Sequence, residues 1–119
     1  MVDKAALDEI LHKVEDVDGV DNAILISRTG VHIAGDVPKD IHLETFTTMC
    51  AVLLGAVDIT ASELKEKFIS IIVNLQNSRI LVKDVDVNAL LVVMTNINAD
   101  LSSLEEILDK HAAEIKEFT

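Results

Sequence analysis

Few residues in this chain have the type and spacing that chemistry requires. Cys50 could act as a nucleophile only with a histidine placed beside it. It falls on the same helical face as Phe46, Leu53 and Val57, where it reads as a core thiol. His12, His32, His42 and His111 show neither HxxH nor HExxH spacing, and one cysteine cannot build a structural zinc set. His111 falls on the buried stripe of the last predicted helix. The glycines stand at 19, 30, 35 and 55, none before a Lys-Ser or Lys-Thr pair, so there is no loop to cradle a nucleotide phosphate. Asp84 and Asp86 flank Val85 and would share a face in a strand; they read as solvated turn residues. Arg28, at a hairpin tip, reads as an exposed side chain, with an arginine finger on a partner's nucleotide as the alternative. The expectation is a protein without catalytic residues, metal or cofactor, and not itself an enzyme.

Composition narrows the partners. Acidic residues outnumber basic ones 21 to 10, for a formal charge of −11. Phosphate binding needs clustered Lys and Arg, so nucleic acid and anionic membrane surfaces are excluded as expected partners. A basic or locally neutral protein surface is the better match. The 119 residues suit one domain spanning 1–119, long enough to bury roughly two-thirds of the unfolded surface. With three Phe and neither Tyr nor Trp, the core must be aliphatic. No stretch reads as a membrane span, the opening MVDKAALDEI is not a secretory signal, and the single cysteine suits a reducing, cytoplasmic setting.

Hydrophobic periodicity supplies the elements that must position any site. Leu7, Ile10, Leu11 and Val14 predict a helix over 3–17 capped by Asp3. Asn22–Ser27 is an apolar run buried on both faces, and Arg28-Thr29-Gly30 turns it into a return strand, Val31–Ala34. A second helix, capped by Asp40, runs from Ile41 to about Lys65. Strands follow at Phe68–Leu75 and Arg79–Val85, with Gln76-Asn77-Ser78 between them because Asn tolerates left-handed geometry. Ala89–Thr95 is apolar at every position but the last, which predicts a central strand. The last helix starts near Ser102 or Ser103, paired with Glu105 or Glu106 as a capping box. The order α-β-β-α-β-β-β-α with short links predicts an α/β (α+β type) fold: a five-stranded antiparallel sheet with helices on both faces.

The second helix is the informative one. Leu43, Phe46, Cys50, Leu53, Leu54, Val57, Ala61 and Leu64 form a stripe that suffices to bury it on the sheet. The opposite side is nevertheless uncharged for most of its length: Thr45, Thr48, Met49, Val52, Gly55, Ala56, Ile59 and Ser62. No spare segment remains to cover it, so it reads as an interface, and Ala51 and Gly55 would let another helix approach closely.

GVDNAILISRTGVHIAGDV at 19–37, the small-residue helix at 41–65 and FISIIVNLQNSRILVKDVDVNALLVVMTN at 68–96 together resemble the roadblock domain (dynein light chain) family, which includes the bacterial MglB proteins. The likeness covers nearly the whole chain. It implies a homodimer in which third strands pair edge to edge and second helices pack together, and a partner that is a small Ras-like GTPase, a motor subunit or another roadblock-domain protein. Some MglB-type members speed a partner's GTP hydrolysis by repositioning its own catalytic groups. Carried over, Phe68, Ser70, Ile72 and Asn74 would lie on the pairing strand, with Thr48, Val52, Gly55 and Ile59 on the helix side of the dimer interface. Thr45, Met49, Val52, Ala56 and Ile59 would meet a partner. No long extension follows Phe118, so tail-mediated regulation is not expected.

Two functions share this platform: regulation of a GTPase, and a non-regulatory scaffold or motor-associated light-chain-like subunit. A small-molecule sensor would need a polar cluster in a pocket, and the sequence suggests none.

Overall fold

The computed structural model describes residues 3–119. The elements are α1 (Lys4–Glu15), β1 (Val20–Ile26), β2 (His32–Gly35), α2 (Leu43–Glu63), β3 (Ser70–Asn74), β4 (Ser78–Asp86), β5 (Ala89–Asn96) and α3 (Leu101–Lys116). The five strands form one antiparallel sheet in the order β2-β1-β5-β4-β3. The predicted order and sheet type are therefore observed. β5 is central, with Ala89 to Thr95 all buried, as its unbroken apolar run requires.

Because side chains alternate along each strand, the sheet builds two cores. On one face Leu25, Leu81, Leu91 and Val93 pack under α1 and α3, which contribute Leu7, Leu11, Leu104, Leu108 and Ile115. On the other, Ile24, Ile26, Val82, Leu90 and Val92 pack under α2 through Cys50 and Leu54. Phe46, Val57 and Ala61 complete that contact half-buried, whereas Leu64, expected on the stripe, is exposed. α1 and α3 thus sit over one deep core, and α2 covers the other alone.

Several boundaries move for local reasons. Asp3 caps α1 as expected, accepting from Ala6 N–H at 3.1 Å. α2 is capped by the His42 ring rather than Asp40: Nδ1 accepts from Thr45 N–H at 3.3 Å, and Thr45 Oγ1 lies 3.0 Å from it. α3 starts earlier than predicted because Asp100 takes the cap, accepting from the Ser102 and Ser103 N–H groups. Ser103 Oγ then donates to Asp100 Oδ2, so neither capping box forms. The β3–β4 turn closes with Leu75 N–H on Ser78 C=O at 2.8 Å. It does so without left-handed Asn77: among described residues the only non-glycine with positive φ is Lys65, at 60°.

Lys65 ends α2. Its N–H donates to Ser62 C=O and the next, Glu66 N–H, donates to Ala61 C=O at 2.9 Å, a Schellman closure that forces a left-handed residue where the chain has lysine instead of glycine. The expectation that no stretch suits a membrane span is corrected for this helix: Leu43–Glu63 is long and apolar enough by length and composition. Its sheet side is nonetheless committed to the second core.

Candidate interaction surface

The residues expected to form the platform lie on the outer side of α2, exposed. Met49, Val52 and Ile59 are 55%, 61% and 69% exposed, and Thr45, Thr48, Ala56 and Ser62 are exposed beside them. The surface is set by the burial of Thr47, Cys50 and Leu54, which turns the residues half a helical turn away outward. At Gly55 an added Cβ would meet no heavy atom within 4 Å, so that position faces open space. Thr45 Oγ1 is occupied by His42, and Thr48 carries its backbone against the β1–β2 turn while its side chain stays exposed.

β3 is an edge strand, hydrogen-bonded to β4 on one side only. Ser70, Ile72 and Asn74 pair with Lys83, Leu81 and Arg79 and share the α3 side of the sheet. Their backbone forms an open ladder, and Ile72 is partly exposed where α3 does not reach. Phe68 does not belong with them. β3 begins at Ser70, and Phe68 lies before it, buried in the core beneath α2. Large aromatic area is better sequestered there than on an edge.

Cys50 and His111 are drawn inward. Cys50 is buried, and the lost hydration of its thiolate pushes its pKa up to about 11. It is a core thiol, as read from sequence. His111 is buried on α3, with Nδ1 2.9 Å from Glu114 Oε1. Among the described residues no group of three or more His, Cys, Asp or Glu is placed to hold a metal.

Arg28 departs from the reading of a free, exposed tip: Nη1 donates to Asp84 Oδ1 at 2.6 Å and to Asp86 C=O at 2.9 Å. Nη2 donates to Asp58 Oδ2 at 3.3 Å. Burial lowers its pKa, but the hydrogen bonds and charges of Asp84 and Asp58 outweigh that, and the net shift is upward. Asp84 and Asp86 are accordingly half-buried rather than simple solvated turn residues. Asp86 Oδ1 accepts from Asn88 N–H, closing the β4–β5 turn, while Oδ2 accepts from Thr119 Oγ1 at 2.9 Å. No local signal joins positions 28, 58 and 84; only the fold does.

The molecule thus presents an apolar helix side and, at the sheet's rim, an open strand edge. Comparison with curated protein sequences finds no match. Among solved structures, the chain is similar to gliding protein MglB from Thermus thermophilus, with TM-score 0.87, 23% identity and coverage of 96% of this chain and 88% of that one. It is also similar to Myxococcus xanthus MglB, with TM-score 0.87, 14% identity and coverage of 93% and 92%. A Roadblock/LC7 domain from Streptomyces avermitilis gives TM-score 0.85, 14% identity and coverage of 93% and 95%. At these identities the likeness speaks for the fold. In sequence, the model of the Roadblock/LC7 domain matches residues 6–95, most of the chain and all five strands but the last residue of β5, and on that match the chain belongs to the Roadblock/LC7 domain family.

Proposed function

We propose that this protein is a dimeric, cytoplasmic interaction platform that binds and regulates a small Ras-like GTPase. The observation that carries the reading is the outer side of α2, where Met49, Val52, Ala56 and Ile59 stand exposed in a chain of net charge −11. An apolar, uncharged strip on so acidic a protein keeps a desolvation gain available to a partner. Family membership supports protein interaction in GTPase regulation as the general role, and the family is generally non-catalytic. The open β3 edge supports self-pairing through an isologous contact that buries more than roughly 1,000 Å² in total.

The platform works by contact alone. It needs no cofactor, binds neither nucleic acid nor membrane directly, and would alter turnover by repositioning the GTPase's own groups. Arg28 is committed to Asp58, Asp84 and the Asp86 carbonyl, which argues against its use as a finger. A second reading, a scaffold that joins other roadblock-type domains, draws support from an MglB solved with a tetrameric arrangement.

The test is direct. Small GTPases co-purifying with the native protein are identified, and their GTP hydrolysis is measured alone, with this protein and with its Val52→Glu variant. Regulation predicts a change in turnover that the variant abolishes. Binding without any change in turnover selects the scaffold, and loss of neither binding nor turnover in the variant overturns the platform.

A further inference from the structure

We propose that Arg28 is a positioning residue that sets the roll of α2 on the sheet, and with it the direction in which the outer strip faces; the second clause rests on the proposed function, the first does not. The sheet side of α2 is held by apolar groups: Phe46, Cys50, Leu54, Val57 and Ala61. Such burial selects which face of α2 turns to the sheet, but it is non-directional in detail and leaves the exact roll within that face to directional contacts. Among the described residues, the side-chain hydrogen bond that α2 makes to another element, Asp58 with Arg28, comes from the β1–β2 turn.

That turn, Ser27 to Gly30, is stiff. Gly30 N–H donates to Ser27 C=O at 3.0 Å, Ser27 N–H donates to Val31 C=O at 2.8 Å, and Val31 N–H donates to Ser27 Oγ at 2.9 Å. It meets α2 at two points. Gly30 abuts the first half, where an added Cβ would lie 3.0 Å from Thr48 Cα, 3.1 Å from Thr47 C=O and 3.3 Å from Ala51 Cβ. Arg28 reaches Asp58 in the second half. Thr47, Ala51, Leu54 and Asp58 follow at i, i+4, i+7 and i+11, one line along a helix, and Thr47 and Asp58 are about 16 Å apart on its axis. Two anchors that far apart on one line resist both sliding and rolling.

Arg28 also ties the helix to the β4–β5 hairpin at the same end of the sheet. The same Nη1 that meets Asp84 donates to the Asp86 carbonyl, and the Asp86 carboxylate holds the Thr119 hydroxyl at the end of the chain. The planar guanidinium satisfies α2 and the β4–β5 hairpin at once, which a lysine's single ammonium cannot do with the same geometry.

The experiment uses the full chain and its Arg28→Met, Arg28→Lys and Asp58→Asn variants, read by NMR. Residual dipolar couplings report the orientation of α2 against the sheet, and amide exchange reports protection along it. The expected result is a changed α2 orientation and about tenfold faster exchange over residues 55–63 in Arg28→Met and Asp58→Asn, with α1 protection unchanged. Arg28→Lys recovers only part, and the Arg28→Met/Asp58→Asn double variant is no worse than Arg28→Met alone. Unchanged couplings and exchange, or an equal rise in α1 and α2, overturns the proposal. If Arg28→Met does not fold, the surface change Asp58→Asn decides it by the same criteria. None of these readouts needs a partner, so they stand or fall separately from GTPase binding.

Discussion

Gly30 and Thr48 stand in tight apposition: a Cβ built on Gly30 would fall 3.0 Å from Thr48 Cα, closer than nearly all such contacts, and Gly30 holds φ at +92°. The missing Cβ lets the β1–β2 turn rest closely on α2. Gly30→Ala therefore meets a left-handed backbone and must push the helix back by a few tenths of an ångström. The expected loss is roughly 1–3 kcal/mol of folding stability, measured by chemical denaturation. An alanine variant as stable as the parent would show that the turn is free to lift from the helix.

Exposure and burial on α2 make opposite predictions for neighbouring substitutions. Val52→Glu and Ile59→Glu add charge to exposed side chains, so each subunit's stability should change by no more than about 0.5 kcal/mol. In an isologous dimer each would bury two unpaired carboxylates, at a cost on the order of several kcal/mol. Cys50→Ser acts inside the core, where an unpaired hydroxyl costs about 1–3 kcal/mol, and should leave assembly intact. Circular dichroism and sedimentation on the same samples separate the two effects. Glutamate variants that remain folded and fully assembled would make this side of α2 ordinary surface.

Lys65→Gly should stabilise the protein. The Schellman closure of α2 demands a left-handed residue, and lysine holds φ 60° there against its Cβ. Lys65 is exposed, so no packing is lost. The left-handed penalty is about 1–2 kcal/mol, part of which glycine returns through its looser unfolded state. A net gain of about 0.5–1 kcal/mol is expected, seen as a higher denaturation midpoint. No gain would mean that the lysine stem offsets its own strain.

The thiol of Cys50 gives a pH signature. Burial raises its pKa from 9.0 to about 11 in the folded protein. The native state thus favours the protonated form, and the associated stability is fully present below pH 9 and lost as pH rises towards 11. Denaturation series from pH 8 to 11 should show a steeper fall for the parent than for Cys50→Ala, which lacks the group. Parallel curves would place the thiolate in contact with solvent.

What could be read from the amino-acid sequence was whatever depends on pattern along the chain. Period-two and near-3.6 hydrophobicity determined the elements, the two-faced sheet and the central place of β5, because each face that must leave water is marked residue by residue. The uncharged side of α2 was legible on the same ground, and so was the core position of Cys50. Caps were less legible because neighbouring side chains compete for the same N–H groups: Asp100 outreaches Ser102 and Ser103, and His42 displaces Asp40. The start of β3 was misplaced by two residues, since Phe68 is apolar enough for strand or core and only the packing of α2 over it selects the core. Arg28 marks the limit of sequence reading. Its charge was visible, but its partners lie 30, 56 and 58 residues away, and a hydrogen bond depends on distances that no one-dimensional pattern contains. The tertiary structure alone decided that this arginine faces the protein's own acids, because only folding brings the β1–β2 turn, α2 and the β4–β5 hairpin to one corner of the molecule.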